Sequence, residues 1–243
     1  LTQRYAMNIK ARKTLRSIRK RSVPKFLDTI THVRTINPVA ALTFDDGPHP
    51  YYTPLLLNLL AQYGVKATFF MVGEGAEKHK EVVQQVRDAG HAIGNHSWSH
   101  PSFVEINRWQ RWEEVRRCEQ ALSLSGARLF RPPHGHQNFT SRLDLFWLRY
   151  QVIGWNVAAQ DWLEQTPGEM ANRLIQKVQP GCIVLLHDAI YKSRLAKPQF
   201  NREPMLEALD MALHQLTKQF NFVTVPDLFH YGRPVYTYWR RLG

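Results

Sequence analysis

Two carboxylates stand side by side at Asp45 and Asp46, directly after the apolar run Val39–Phe44 and directly before Gly47-Pro48. A run of that length predicts a short strand. Side chains alternate sides along a strand, so the two acids leave its end in different directions. One can bind a cation while its neighbour handles a proton. Asp, Gly and Pro are also ordinary turn residues, so the pair gains meaning only from what else the chain supplies. His96 and His100 lie four apart, with Pro101 next. On a helical turn that spacing places both imidazoles on one face, within reach of one ion. With Asp46 they make a set of two histidines and one carboxylate that leaves positions open for water. Such a set suits zinc, and also iron, cobalt or manganese.

These groups need elements to hold them. Val39–Phe44, Lys66–Val72, His91–Gly94, Arg128–Phe130, Gln151–Val157, Gly181–Leu186 and Phe222–Val225 read as strands. Between them, helices are predicted over Tyr52–Gln62, Glu77–Ala89, Asn107–Ser123 and Pro204–Gln219, and one more opens at the capping box Thr166-Pro-Gly-Glu169. In the Asn107–Ser123 helix, Trp109, Trp112, Val115 and Ala121 are expected to face inward. Repeated strand–helix alternation predicts an α/β fold with a parallel sheet, doubly wound or closed into a barrel. No Gly-rich phosphate loop follows the first strand, which counts against a nucleotide-binding doubly wound fold. In a barrel the working groups sit where strands end at their C-terminal side. Asp45, Asp46, His96, His100, Arg131, Asp161 and His187 all stand at such ends, so a single-domain barrel is the expected fold.

The chain has 243 residues and a net charge of +12. Residues 1–27 hold nine basic groups and no acid, leaving +3 for the rest. The expected organisation is a basic leader and connecting segment over 1–37, then one catalytic domain over 38–243. Such a leader suits an anionic membrane surface or an acidic polymer; no motif supports a nucleic-acid partner. No run approaches the ~20 apolar residues of a membrane span. As it stands the chain reads as cytoplasmic or membrane-peripheral, and as periplasmic or extracellular if a signal or anchor once preceded Leu1. Two cysteines, Cys118 and Cys182, make no disulfide framework.

Thr43-Phe-Asp-Asp-Gly-Pro48, His96-Ser-Trp-Ser-His-Pro101, Arg131-Pro-Pro-His-Gly135, Asp161-Trp162 and Leu185-Leu-His-Asp188 resemble, in order, the motifs of the polysaccharide deacetylases. These are the NodB-homology domains of carbohydrate esterase family four. The resemblance runs from about residue 38 to 228. It implies a distorted (β/α) barrel and metal-dependent removal of acetyl groups from N-acetylated, sometimes O-acetylated, sugars in chitin oligomers, peptidoglycan or a similar acetylated glycan.

Carried over residue by residue, the resemblance makes Asp46, His96 and His100 ligands of a divalent metal, zinc foremost. Asp45 becomes the base, His187 the acid that protonates the leaving amine, Arg131 the partner of Asp45 and Asp161 the partner of His187. A backbone N–H near His134 would hold the oxyanion. Trp162 with Ile183 or Leu185 would floor the acetyl methyl, although the same two aliphatic residues also suit plain barrel core. Two positions depart from the pattern: His134 replaces an aromatic, and Ala158 replaces an acid. His49, His136 and the basic loop Tyr191–Asn201 receive no role. Two other readings stand beside the deacetylase: an inactive glycan-binding protein on the same fold, and an amidohydrolase of small molecules.

Overall fold

The computed structural model describes residues 28–124, 126–191 and 200–237. Its strands are β1 (Thr29–Arg34), β2 (Val39–Asp45), β3 (Ala67–Met71), β4 (Ala92–Asn95), β5 (Leu129–Phe130), β6 (Gln151–Val152), β7 (Val157–Ala158), β8 (Ile183–His187), β9 (Asn221–Phe222) and β10 (Arg233–Thr237). Its α-helices are α1 (Tyr52–Gln62), α2 (Gly73–Lys78), α3 (Lys80–Asp88), α4 (Arg108–Ala121), α5 (Phe139–Trp147), α6 (Pro167–Lys177), α7 (Glu203–Leu216) and α8 (Val225–Leu228).

The main sheet runs β6-β5-β4-β3-β2-β8-β7, with β9 pairing the start of β2. Every pairing in it is parallel. β2 is buried along its whole length, as a strand covered on both faces must be. Its alternate residues divide the core. Ala40, Leu42 and Phe44 join the layer beneath the helices, while Val39 and Ala41 join the interior cluster with Phe70, Ile153 and Ile183. Asp45 and His187 are paired in register at the ends of β2 and β8, on the face that continues the interior cluster.

The curled sheet leaves two edges, β6 and β7. The expected strand Gln151–Val157 is in fact both of them. Gln151–Val152 pairs β5, Val157–Ala158 pairs β8, and the residues between cross from one edge to the other. Gly154 donates its N–H to Ile30 at 2.7 Å, and Asn156 exchanges bonds with Ile183. A side chain at 154 would meet Thr29 at 2.9 Å. The barrel is thus distorted, a half-barrel whose gap is spanned by this crossing and by β1. Ile30 and Val33 of β1 are buried in the interior cluster, and β1 pairs antiparallel with β10. The folded unit therefore includes residues 28–37, placed above in the connecting segment. The basic leader itself, residues 1–27, lies outside the described residues.

Other expectations shift for local reasons. The single helix over Glu77–Ala89 is two, broken at His79 (φ −127°, ψ 54°). In α4, Val115 is buried but Trp109 is 74% exposed; Arg111 takes the inward place, bound to Asp144 at 2.7 Å. A buried ion pair outranked the indole there. Helix α5 and strand β10 were not foreseen. The Thr166–Glu169 capping box is present as predicted. Among the described residues, no helix is long and apolar enough to cross a membrane.

Candidate active site

The strand ends of β2 and β4 build the cation site. Asp46 follows Asp45 with φ 75°, a left-handed turn that swings its carboxylate across the strand end. His96 and His100 lie on a loop after β4, not on a helical turn. Asn95 accepts the Ser97 N–H at 2.8 Å, Ser97 Oγ accepts the His100 N–H at 3.1 Å, and both Ser97 and His100 have positive φ. Short polar side chains thus fold the turn that the spacing alone attributed to a helix. His96 Nε2 and His100 Nε2 stand 3.3 and 3.2 Å from the same oxygen, Asp46 Oδ1. All three residues are buried. Burial works against the Asp46 charge, but His100 and His96 beside it hold its carboxyl well below the usual carboxylate range.

The donor set fits a divalent ion on its own chemistry. His96 Nδ1 lies 2.7 Å from the Arg131 carbonyl oxygen, which can only accept, so Nδ1 carries the proton. In the neutral ring, Nε2 then presents a lone pair to the lone pairs of Asp46 Oδ1. Between two such acceptors in a buried pocket a proton or a metal ion must sit, and the carbonyl supplies the kind of outer-shell bond that orients a ligating imidazole.

Asp45 is tied away from this set. Arg131, fully buried, donates from Nη1 to Asp45 Oδ1 and to Thr43 Oγ1, each at 2.7 Å. Its remaining groups donate to the carbonyls of Ile153 and Gly154, so the residue that positions Asp45 also pins the crossing segment. Its guanidinium stacks over Phe70 at 4.2 Å. Asp45 Oδ2 remains 3.8 Å from His96 Nε2, facing the cation site.

On β8, His187 Nδ1 donates to Asp161 Oδ1 at 3.0 Å, and the His187 backbone N–H donates to Asp161 Oδ2 at 2.8 Å. Burial disfavours the imidazolium, but Asp161, and behind it Asp46 and Asp45, push its pKa up to about 9. The Trp162 ring stands edge-on to His187 at 5.3 Å. His134, in the turn Pro133–Gly135 with φ 58°, lays its ring against His100 at 4.5 Å. The sequence-predicted residues are thus brought together, with one exception. Ile183 packs in the interior cluster with Ile153 and Val225, so of the two candidates for a methyl floor it is barrel core. Leu185 is buried directly below His187 and belongs to none of the apolar clusters, as a residue beneath polar site groups would.

Three residues were given no role in the sequence reading. Tyr191 donates its backbone N–H to Asp46 Oδ2 at 3.1 Å, and its hydroxyl bonds Glu74. Arg202 reaches Asp161. Asp188 stands beside His187 in a quoted motif, but alternation sends it to the other face. There it accepts from Gly47 N–H at 3.2 Å and Thr53 Oγ1 at 2.5 Å, fixing the turn that carries Asp46. Burial, with Asp46 nearby, raises the Asp188 pKa to about 7. A Cβ at Gly47 would lie 2.2 Å from Asp188 Oδ2. Gly47→Ala is expected to cost about 2 kcal/mol or more, by overpacking and by loss of the turn's buried bonds. Thermal melting checks it, and an unchanged Tm would show that the turn has slack.

A buried Asp-His-His set that could hold a metal ion, with a carboxylate and an imidazole beside it at the C-terminal ends of parallel strands, has the makings of a metal-dependent hydrolase. Comparison with known proteins narrows the class. The family described as polysaccharide deacetylase matches residues 32–153. A peptidoglycan-N-acetylglucosamine deacetylase of Bacillus cereus is 34% identical over 196 residues, covering 78% of this chain and 67% of its own. A chitooligosaccharide deacetylase of Rhizobium leguminosarum bv. phaseoli is 36% identical over 159 residues, covering 63% and 69%. The crystal structure of the Bc1960 peptidoglycan N-acetylglucosamine deacetylase superposes with a TM-score of 0.74 at 31% identity, covering 84% of this chain and 94% of that one. This chain belongs to the polysaccharide deacetylase family, the metal-dependent NodB-type hydrolases of carbohydrate esterase family four.

Proposed function

We propose that this protein removes the N-acetyl group from N-acetylglucosamine units of peptidoglycan, releasing acetate and leaving a free amine on the glycan. The observation that carries it is the in-register pairing of Asp45 and His187 beside the Asp46–His96–His100 set. That arrangement supports a base and an acid working at neighbouring strand ends next to one cation site. The relatives named for peptidoglycan point to the glycan.

Asp46, His96 and His100 would hold zinc; cobalt, iron or manganese suit the same donors. When bound, such an ion polarises the acetyl carbonyl and acidifies the attacking water. Asp45 takes the proton from that water, and the Arg131 guanidinium, bound to its Oδ1, keeps it aimed. The turn at His134 offers backbone to the developing oxyanion. His187, held at Nδ1 by Asp161, presents Nε2 to the departing nitrogen and donates its proton there, since an unprotonated amide ion is a very poor leaving group. Trp162 and Leu185 bound the acetyl methyl. The substrate lies outside the cytoplasmic membrane, and the protein works there. The basic residues of 1–27 hold it to the anionic envelope.

The test is acetate release from peptidoglycan fragments, chitin oligomers, acetylated xylan and poly-N-acetylglucosamine, as isolated, after chelation and after zinc is returned. Release from peptidoglycan that chelation abolishes and zinc restores supports the proposal. Release from chitin oligomers alone moves the substrate, and none from any glycan sinks it. The pH dependence is signed. His187 is stabilised in its charged form, so the Asp161 pair contributes fully below pH 6.5 and is lost as pH rises through about 9. Activity that needs the imidazolium should fall on that same alkaline side. Asp161→Asn is expected to move the alkaline limb of kcat down by about one unit or more; a limb that stays put would remove His187 from the acid's role.

A further inference from the structure

We infer that Arg202 is a positioning residue for the proton donor: by sharing Asp161 with His187 it keeps that aspartate paired with a cation through the whole cycle. The inference rests on the deacetylase reading above and deepens it. Arg202 precedes α7, far along the chain from both partners, and is fully buried. Its Nη1 donates to the Asp161 backbone oxygen at 3.1 Å and to Asp161 Oδ2 at 3.2 Å. Its Nε donates to the Phe200 carbonyl at 3.3 Å. Oδ2 is also the oxygen that accepts the His187 backbone N–H, while Oδ1 takes the imidazole proton. One carboxylate with no exposed side-chain surface thus serves two cations.

The need for the second cation appears when the first is spent. Once His187 has given its proton to the leaving amine, it is neutral, and Asp161 alone would be an uncompensated buried carboxylate. Leaving such a charge unpaired is strongly unfavourable. Without another partner, that cost opposes the donation itself. Arg202 cannot lose its proton under working conditions, so it balances Asp161 whether His187 is charged or not. Stability alone does not account for it. Among the described residues, Arg202 Nη2 is buried without a hydrogen-bond partner, and a buried ion pair is often replaced by apolar groups at no loss. Among the described residues, the other charges that act most on His187 are Asp46 and Asp45 from the end of β2, and the uncharged Trp162 ring packs on it.

The test compares Arg202→Met and Arg202→Lys with the wild-type protein, loaded with zinc. With the Asp161 charge no longer shared, His187 should hold its proton more tightly. In Arg202→Met the alkaline limb of kcat should move up by about one unit while kcat at neutral pH falls several-fold, the mark of a weaker acid; KM should stay within about twofold. Arg202→Lys, which keeps the charge, should return the limb to its wild-type place. NMR titration of the His187 imidazole reads the same shift without turnover and covers a variant too weak to assay. A limb and an imidazole titration that both stay at wild-type values in Arg202→Met, with kcat merely lowered, would overturn the inference and leave the deacetylase intact. If Arg202→Met does not fold, an Arg202→Lys protein whose limb departs from wild type as far as it would without the charge overturns it as well. Absence of acetate release from the wild type would instead fail the reading on which the inference rests.

Discussion

Asp45→Asn is expected to lower kcat by about 10²–10⁴-fold while the protein still binds one metal ion with unchanged stoichiometry. Asp45 takes no part in the Asp46–His96–His100 set, and its Oδ1 is committed to Arg131 at 2.7 Å. An asparagine oxygen can keep that bond, but the guanidinium, buried against Phe70 and Trp155, loses its counter-charge, so stability should fall by about 3–5 kcal/mol. What vanishes is the negative charge that accepts the water's proton. At temperatures where the weakened fold holds, the variant should bind metal and glycan, with KM near the wild-type value. Metal content and steady-state kinetics on the same preparation separate the possibilities. Turnover within tenfold of wild type would place the base on another residue. Lost metal would show that Asp45 supports the cation site directly.

His96→Ala is expected to take metal and activity away together. His96 is the only ligand whose outer nitrogen is fixed by a bond to a neighbouring carbonyl among the described residues, so its removal loses a donor and frees the Arg131 carbonyl. Two ligands remain, too few for the tetrahedral set zinc favours. The effect has a readout besides turnover. An ion held at a thousand times its dissociation constant adds about 4 kcal/mol of stability, on the order of 10 °C in Tm for a domain of this size. Wild-type protein should lose that increment on chelation; His96→Ala should melt at one temperature with and without chelator. A variant that remains metal-loaded and active would dissolve the ligand assignment.

Much of this site is legible in the chain because strand ends write their residues contiguously. Asp45 and Asp46 stand together because alternation alone separates their roles, and His187 falls under the same rule on β8. Arg131 and Asp161 are readable only with the family resemblance, since nothing in their neighbourhood says which strand end lies opposite. The rest depends on tertiary placement. Arg202 carries no local signal: a single arginine before a helix becomes the partner of Asp161 only after β8 and α7 have packed. The segment Gln151–Ala158 looks like one strand by composition, and its split follows from a gap that exists only once the sheet has curled. Trp109 fooled the helical pattern because Arg111 had Asp144 to bind. Short polar caps, such as Asn95 and Ser97 beneath the histidine loop, mimic a helix in spacing while building something tighter.

The β1–β10 ribbon brings Thr29 opposite Thr237, so the first and the last of the described strands meet side by side. In topological terms the domain is almost a ring. A short linker joining those two positions would close it, and new ends could then be opened elsewhere, as circular permutation requires. The turn at Gly64 is a suitable opening, since a side chain there would meet nothing within 4 Å and it separates α1 from β3 without touching a site residue. The same geometry makes the domain a pendant cargo. Inserted into a host loop, it would hang from adjacent attachment points, and neither cut would fall within the strand ends that do the chemistry.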